Sequence, residues 1–148
     1  MLSVDVYVLG DKGRTVATVA HAMRDIDGIQ YQKCRKNMLS SLVNGSSADL
    51  FHLVPNCAVL LPDFYRAMLN YLEHSKRDYA FCPCLRVNKD NTTSEVSPGD
   101  RSFSIGQMIV KSWVVKELGL VNDLNQLKSR VISEYRGIEV PHHLYMEM

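Results

Sequence analysis

Residues 49–72 read DLFHLVPNCAVLLPDFYRAMLNYL, and the two halves of this stretch follow different patterns. The first six residues, DLFHLV, form a short apolar run of the kind found in strands buried on both faces. A small loop, PNCA, follows at residues 55–58. Pro62 can then open a helix, because its fixed φ suits the first helical position and its missing N–H is not needed there. Asp63 complements the positive end of that helix. Phe64, Met68 and Leu72 recur at four-residue intervals with Tyr65 and Leu69 beside them, an apolar stripe that belongs against a core. A strand, a short loop and an amphipathic helix in this order suggest a βα unit.

The same alternation extends in both directions. Upstream, residues 3–9 (SVDVYVL) are rich in β-branched and aromatic side chains and stop at Gly10-Asp11-Lys12-Gly13, a buried strand followed by a turn. Residues 16–24 place Val16, Val19, Ala20 and Met23 on one helical face. A turn at 25–28, a strand at 29–34 and a short helix at 37–43 closed by Asn44-Gly45 complete this half. Downstream, residues 80–87 read as a strand, and residues 88–100 as a polar surface loop of the sort that covers a ligand. Residues 105–118 read as a helix stopped by Gly119. Asn122 can cap a last helix that turns Leu124, Leu127, Val131 and Tyr135 inward and ends at Gly137, before a final strand at 138–145. Strands alternating with helices predict one α/β domain over residues 1–148, with a largely parallel sheet and right-handed crossovers. Such sheets bind ligands beyond the carboxyl ends of their strands, here the loops after Leu9, Val54 and Val87.

Composition narrows the function classes. The chain has 148 residues, 46% hydrophobic and 22% charged, enough for a core without disulfide staples. Its net charge of +1 gives no field to concentrate nucleic acid or an anionic membrane. The basic cluster Lys33, Arg35 and Lys36 reads as a solvated rim, with phosphate contact as the other reading. No stretch approaches the ~20 apolar residues of a membrane helix, and the start lacks the basic region of a signal peptide. A cytoplasmic location is the expectation. Cys34, Cys57, Cys82 and Cys84 lack paired zinc-knuckle spacing and read as small, reduced thiols.

Three segments carry a family resemblance. Residues 49–72 resemble the centre of family 2 GT-A glycosyltransferases, where a hydrophobic strand runs into an acidic metal motif and then an l-x-P-D-x-l helix start with M-L-x-x-L. Residues 104–120, SIGQMIVKSWVVKELGL, are similar to the acceptor-side stretch G-x-x-M-I-x-R-x-x-x-x-x-L-G. Residues 122–147, NDLNQLKSRVISEYRGIEVPHHLYME, resemble the late E-D-x-D-L-x-x-R-x-x-x-x-G-x-x-I-x-x-V-P stretch. The resemblance implies a three-layer, mostly parallel GT-A sheet, truncated. Either the first βα unit or a later one is missing.

The activity so implied is transfer of a sugar from a nucleotide-sugar donor to a glycan or other acceptor hydroxyl. A divalent cation, Mn²⁺ or Mg²⁺, would neutralise the departing diphosphate, and a carboxylate would take the hydroxyl proton. Asp11 stands near the family's acidic turn, as a nucleotide contact or a turn-forming residue. Asn56 stands where the family places a metal-binding Asp, so a cation site there would be weaker. Asp63 matches the helix-start Asp. Asp123 matches the late acidic motif, as the base or as a helix N-terminal charge. His142, His143 and Glu147 lie where some relatives supply a last metal ligand. A non-catalytic GT-A-like domain is the alternative, and a homodimer paired through an uncovered sheet edge is expected of a truncated sheet. A third possibility, an unrelated nucleotide-binding α/β protein, finds no G-x-G-x-x-G or P-loop motif to support it.

Overall fold

The computed structural model describes residues 2–10, 12–96 and 103–148. The first half runs β1 (Val4–Leu9), α1 (Gly13–Ala22), β2 (Ile29–Cys34), α2 (Leu39–Gly45), β3 (Leu50–Val54), β4 (Ala58–Leu60) and α3 (Phe64–Glu73). The second half runs β5 (Tyr79–Phe81), β6 (Cys84–Val87), β7 (Thr93–Val96), β8 (Met108–Lys111), α4 (Ser112–Leu118), α5 (Leu124–Glu134), β9 (Gly137–Glu139) and β10 (Tyr145–Glu147).

The main sheet has the order β2-β1-β3-β8-β5-β9. All of its pairings are parallel except the two made by β8 with β3 and β5, so β8 alone runs against the others. From β1 the chain crosses to β2 on one side, then back over β1 to β3 on the other. The reversal of direction puts the crossover helices on opposite faces, as a single handedness requires. Val6 and His52 are register partners on the face covered by α3, where the His52 ring stacks on Phe64 with centroids 4.9 Å apart. Tyr7 and Leu53 are partners on the other face, where the Tyr7 hydroxyl donates to the Leu42 carbonyl of α2. Lys116 of α4 donates to Ser46 O on that same side. Two helical layers thus enclose the sheet, and the expected three-layer, mostly parallel α/β architecture is present.

The stripe of α3 is buried as its spacing implies: Phe64, Tyr65, Met68, Leu69 and Leu72 all pack inward. Each such side chain contributes roughly 1.5–3 kcal/mol on burial. Pro62 precedes the helix rather than opening it, and Asp63 is the N-cap residue; its carbonyl accepts from Ala67 N, while its carboxylate accepts from no helix N–H and lies 3.9 Å from Arg66.

Three segments depart from the sequence expectation. Residues 80–87 are not one strand: Pro83 lacks the N–H a ladder needs, and the chain changes sheets there, from β5 in the main sheet to β6 in a second one. Residues 105–118 are not one helix. Ser104 caps a short 3-10 turn at Ile105–Gln107 with Gln107 reciprocating, then β8 enters the main sheet before α4 begins. The last expected strand is likewise split, with His142 and His143 in the connection between β9 and β10. The second sheet, β4-β10-β6-β7, was not foreseen; β7 lies within the expected polar loop. The expected helix stop at Gly119 is present, with φ of 66°. No helix among the described residues is long and apolar enough to cross a membrane.

Candidate functional site

The carboxyl ends of β1, β2 and β3 open onto a cleft of about 670 Å³. It lies at the point where the strand order reverses, the place where open α/β sheets bind ligands. Leu9 and Gly10 end β1 there, Arg35 and Lys36 follow β2, and Pro55 and Asn56 follow β3. Residues Phe103 to Ile105 enter from the antiparallel side, and the start of α5 supplies Asp123 and Lys128. Glu147, at the end of β10, completes the lining. A larger concavity of about 950 Å³ lies at the amino end of β1, between Leu2, the 25–27 turn and α3. Its position relative to the sheet gives it no comparable claim.

The turn at residues 55–58 is held by three contacts. The buried Thr15 hydroxyl is shared between Asn56 O and Ala58 O at 2.9 and 2.8 Å, which ties the turn to α1. Lys12 N donates to Asn56 Oδ1 at 3.1 Å. Gly10 has φ of 115°, and a Cβ there would lie 2.6 Å from the Asn56 side chain. Only glycine both takes that backbone conformation and lets Asn56 approach.

The other wall is held from below by a buried histidine. His52 is fully enclosed, with Nδ1 2.7 Å from the Tyr65 hydroxyl and Nε2 2.7 Å from the Gly106 carbonyl. A carbonyl only accepts, so Nε2 carries the proton and Tyr65 donates to Nδ1. Burial lowers the His52 pKa to about 4, with the Gly106 bond opposing, and the ring is neutral at physiological pH. Gly106 itself is pressed between the Tyr145 hydroxyl and Pro55, whose Cδ would lie 2.7 Å from an added Cβ.

At the cleft floor, Tyr145 donates to Glu147 Oε1 at 3.1 Å and Arg86 donates to Oε2 at 2.9 Å. Ser104 Oγ lies 3.2 Å from the Tyr145 hydroxyl and, since that proton goes to Glu147, acts as donor. Glu147 is 9% exposed, and a carboxylate so enclosed needs these partners. Burial and then the Glu147 charge push the Cys84 thiol up to about 12 and raise that of Cys57, so both stay protonated. Lys128 donates to Phe103 O; burial lowers the pKa of its ammonium, while Glu147 pulls it the other way.

Of the residues singled out from sequence, Asn56, Asp123 and Glu147 line one cleft. Asp123 is exposed and caps α5, accepting from Gln126 N at 3.2 Å. Asp11 lies outside the described residues, between Gly10 and Lys12. His143 sits elsewhere on the surface, its Nε2 3.1 Å from Glu95 Oε2, and His142 lines the larger concavity. Sequence reasoning missed Thr15, Ser104 and Lys128. Each acts through residues distant in the chain and belongs to no motif. Arg35 and Lys36 were visible as a basic cluster, and it is the parallel pairing of β2 with β1 that brings them to the cleft.

No family model and no curated protein matches this chain. Solved structures do. S. aureus TarS residues 1–349 superposes with a TM-score of 0.71 at 8% identity, covering 99% of this chain and 60% of that one. The same TarS fragment in complex with UDP gives 0.62 at 9% identity, covering 98% and 60%. A197 from STIV gives 0.56 at 10% identity, covering 95% and 82%. The chain thus spans about 60% of the length of the TarS structures it matches. Likeness at such low identity speaks for architecture alone. That architecture is a three-layer, mostly parallel GT-A-like α/β fold.

Proposed function

We propose that the chain is a family 2-like GT-A protein that binds a nucleotide-sugar donor in the cleft and transfers the sugar to an acceptor hydroxyl. The observation that carries this reading is convergence: Asn56, Asp123 and Glu147, drawn from two separate resembling segments, meet at the switch point of the sheet. That TarS, whose fold this chain shares, was solved in complex with UDP supports a nucleotide as the ligand. In the transfer, the acceptor oxygen attacks the anomeric carbon and the bond from that carbon to the diphosphate breaks. The nucleoside diphosphate leaves with the bonding electrons. Asp123 takes the hydroxyl proton; its Oδ1 accepts from Gln126 N, and Oδ2 has no protein partner among the described residues. Asp11, flanking the cleft in sequence, is assigned to the nucleotide.

The test is turnover of UDP-, GDP- and dTDP-sugars with a panel of glycan and simple hydroxyl acceptors, beside donor binding by titration calorimetry. Absence of donor binding across the panel sinks the reading. Binding without turnover selects the second reading, a non-catalytic GT-A-like domain, which the neutral side chain at Asn56 favours. The same reading of the chain places it in the cytoplasm. It also pairs two copies through β2, an edge strand whose residues Gln30 to Lys33 are exposed. A monomeric mass by light scattering at tens of micromolar protein would remove the dimer.

A further inference from the structure

The resemblance implies a divalent ion beside the sugar diphosphate, but the side chains at the cleft suit another neutralising device. Mg²⁺ and Mn²⁺ are held by hard oxygens, carboxylates above all. Asn56 offers a neutral oxygen that already accepts from Lys12 N. Glu147 commits one oxygen to Tyr145 and the other to Arg86. His143 is bonded to Glu95 outside the cleft. Among the described lining residues, Asp123 is the one carboxylate outside an ion pair.

The cations are arranged differently. Arg35, Lys36 and Lys128 line the same cleft, and among the described residues none forms a salt bridge with a carboxylate, although Glu147 attracts Lys128 from farther off. Among the described lining residues these three cations therefore stand with two carboxylates, Asp123 and the ion-paired Glu147, in a chain whose whole net charge is +1. They come from two elements, Arg35 and Lys36 after β2 and Lys128 from α5. Lys128 gives one N–H to Phe103 O, which leaves two of the three an ammonium carries. Arg35 brings a planar fork that matches phosphate oxygens two at a time.

We infer that the cleft holds the diphosphate of a nucleotide through Arg35, Lys36 and Lys128, with these side chains standing where the resemblance implies a metal ion. This rests on the nucleotide reading of the cleft and names how the phosphates are held. Calorimetric titration of the full chain with UDP, GDP and dTDP, each in EDTA and in excess Mn²⁺, tests it. At least one nucleotide binds with the same affinity in both conditions. Arg35→Gln and Lys36→Gln, at exposed positions, each weaken that nucleotide about tenfold and leave the matching nucleoside unaffected. Lys128→Met does the same, with a melting curve to confirm that it is folded. Binding that requires Mn²⁺ overturns the inference and leaves the nucleotide reading standing. Metal-free binding indifferent to all three substitutions, or an equal loss for nucleoside and nucleotide, also overturns it. Silence from every nucleotide in both conditions overturns the inference and the nucleotide reading together.

Discussion

Replacing His52 by Gln should remove a specific pH dependence from the stability of this protein. In the folded chain the imidazole titrates at about 4, against 6.5 for an ordinary histidine, because it is entirely buried. The unfolded chain takes up the proton first, so the stability contributed by neutral His52 is fully present above the unfolded pKa. It is lost as pH falls through the window from 6.5 toward about 4. The whole shift corresponds to about 3 kcal/mol. Between about pH 7 and about pH 5 the expected loss is about 2 kcal/mol. Urea denaturation at both pH values, for wild type and His52→Gln, isolates this contribution, since the other four of the five histidines are common to both proteins. The variant is itself less stable at neutral pH, by about 1–3 kcal/mol for each buried partner left unsatisfied. The decisive quantity is the difference in slope. His52→Phe, which keeps the stacking on Phe64, provides a second non-titrating variant. Should both variants lose as much stability as wild type on acidification, His52 is not the buried neutral base described above.

Substitutions at three other positions probe the cleft. Gly10→Ala forces a Cβ onto a backbone at φ of 115° and into Asn56, and should cost about 1–3 kcal/mol; an unchanged melting temperature would refute the close approach. Thr15→Val removes the hydroxyl shared by Asn56 O and Ala58 O and should cost about 1–3 kcal/mol in urea unfolding. Asp123→Ala should lose about 1 kcal/mol of capping, whereas Asp123→Asn keeps the cap and loses the base. Full turnover in a folded Asp123→Asn protein would remove Asp123 from the chemistry.

The central strands and α3 were legible because local pattern and tertiary environment agree there. The runs VDVYVL and LFHLV are buried on both faces, and a strand apolar at all but one position leaves little room for another reading. Residues 105–118 show the opposite case. Ile105, Met108, Ile109, Val115 and Leu118 recur with helical spacing, yet Met108 to Val110 are buried because β8 lies between β3 and β5. A continuous apolar run satisfies both periods, and the capping pair Ser104 and Gln107 was the overlooked sign that the backbone changes course. Pro83 carried a clearer warning against one strand over 80–87. In the cleft, the positions of Asn56, Asp123 and Glu147 came from resembling segments. Lys128 has no local signature at all, since its place depends on how α5 lies against residues 103–105.

The middle position of β10, between β4 and β6, has a consequence for how the protein matures on the ribosome. The small sheet cannot join its halves until residues 145–147 have been made, more than 80 residues after β4. Glu147 reaches the cleft floor with β10. A nascent chain halted between β9 and β10 would carry the strands of the main sheet but leave this cleft without its floor, so the cleft is complete only once β10 has been made.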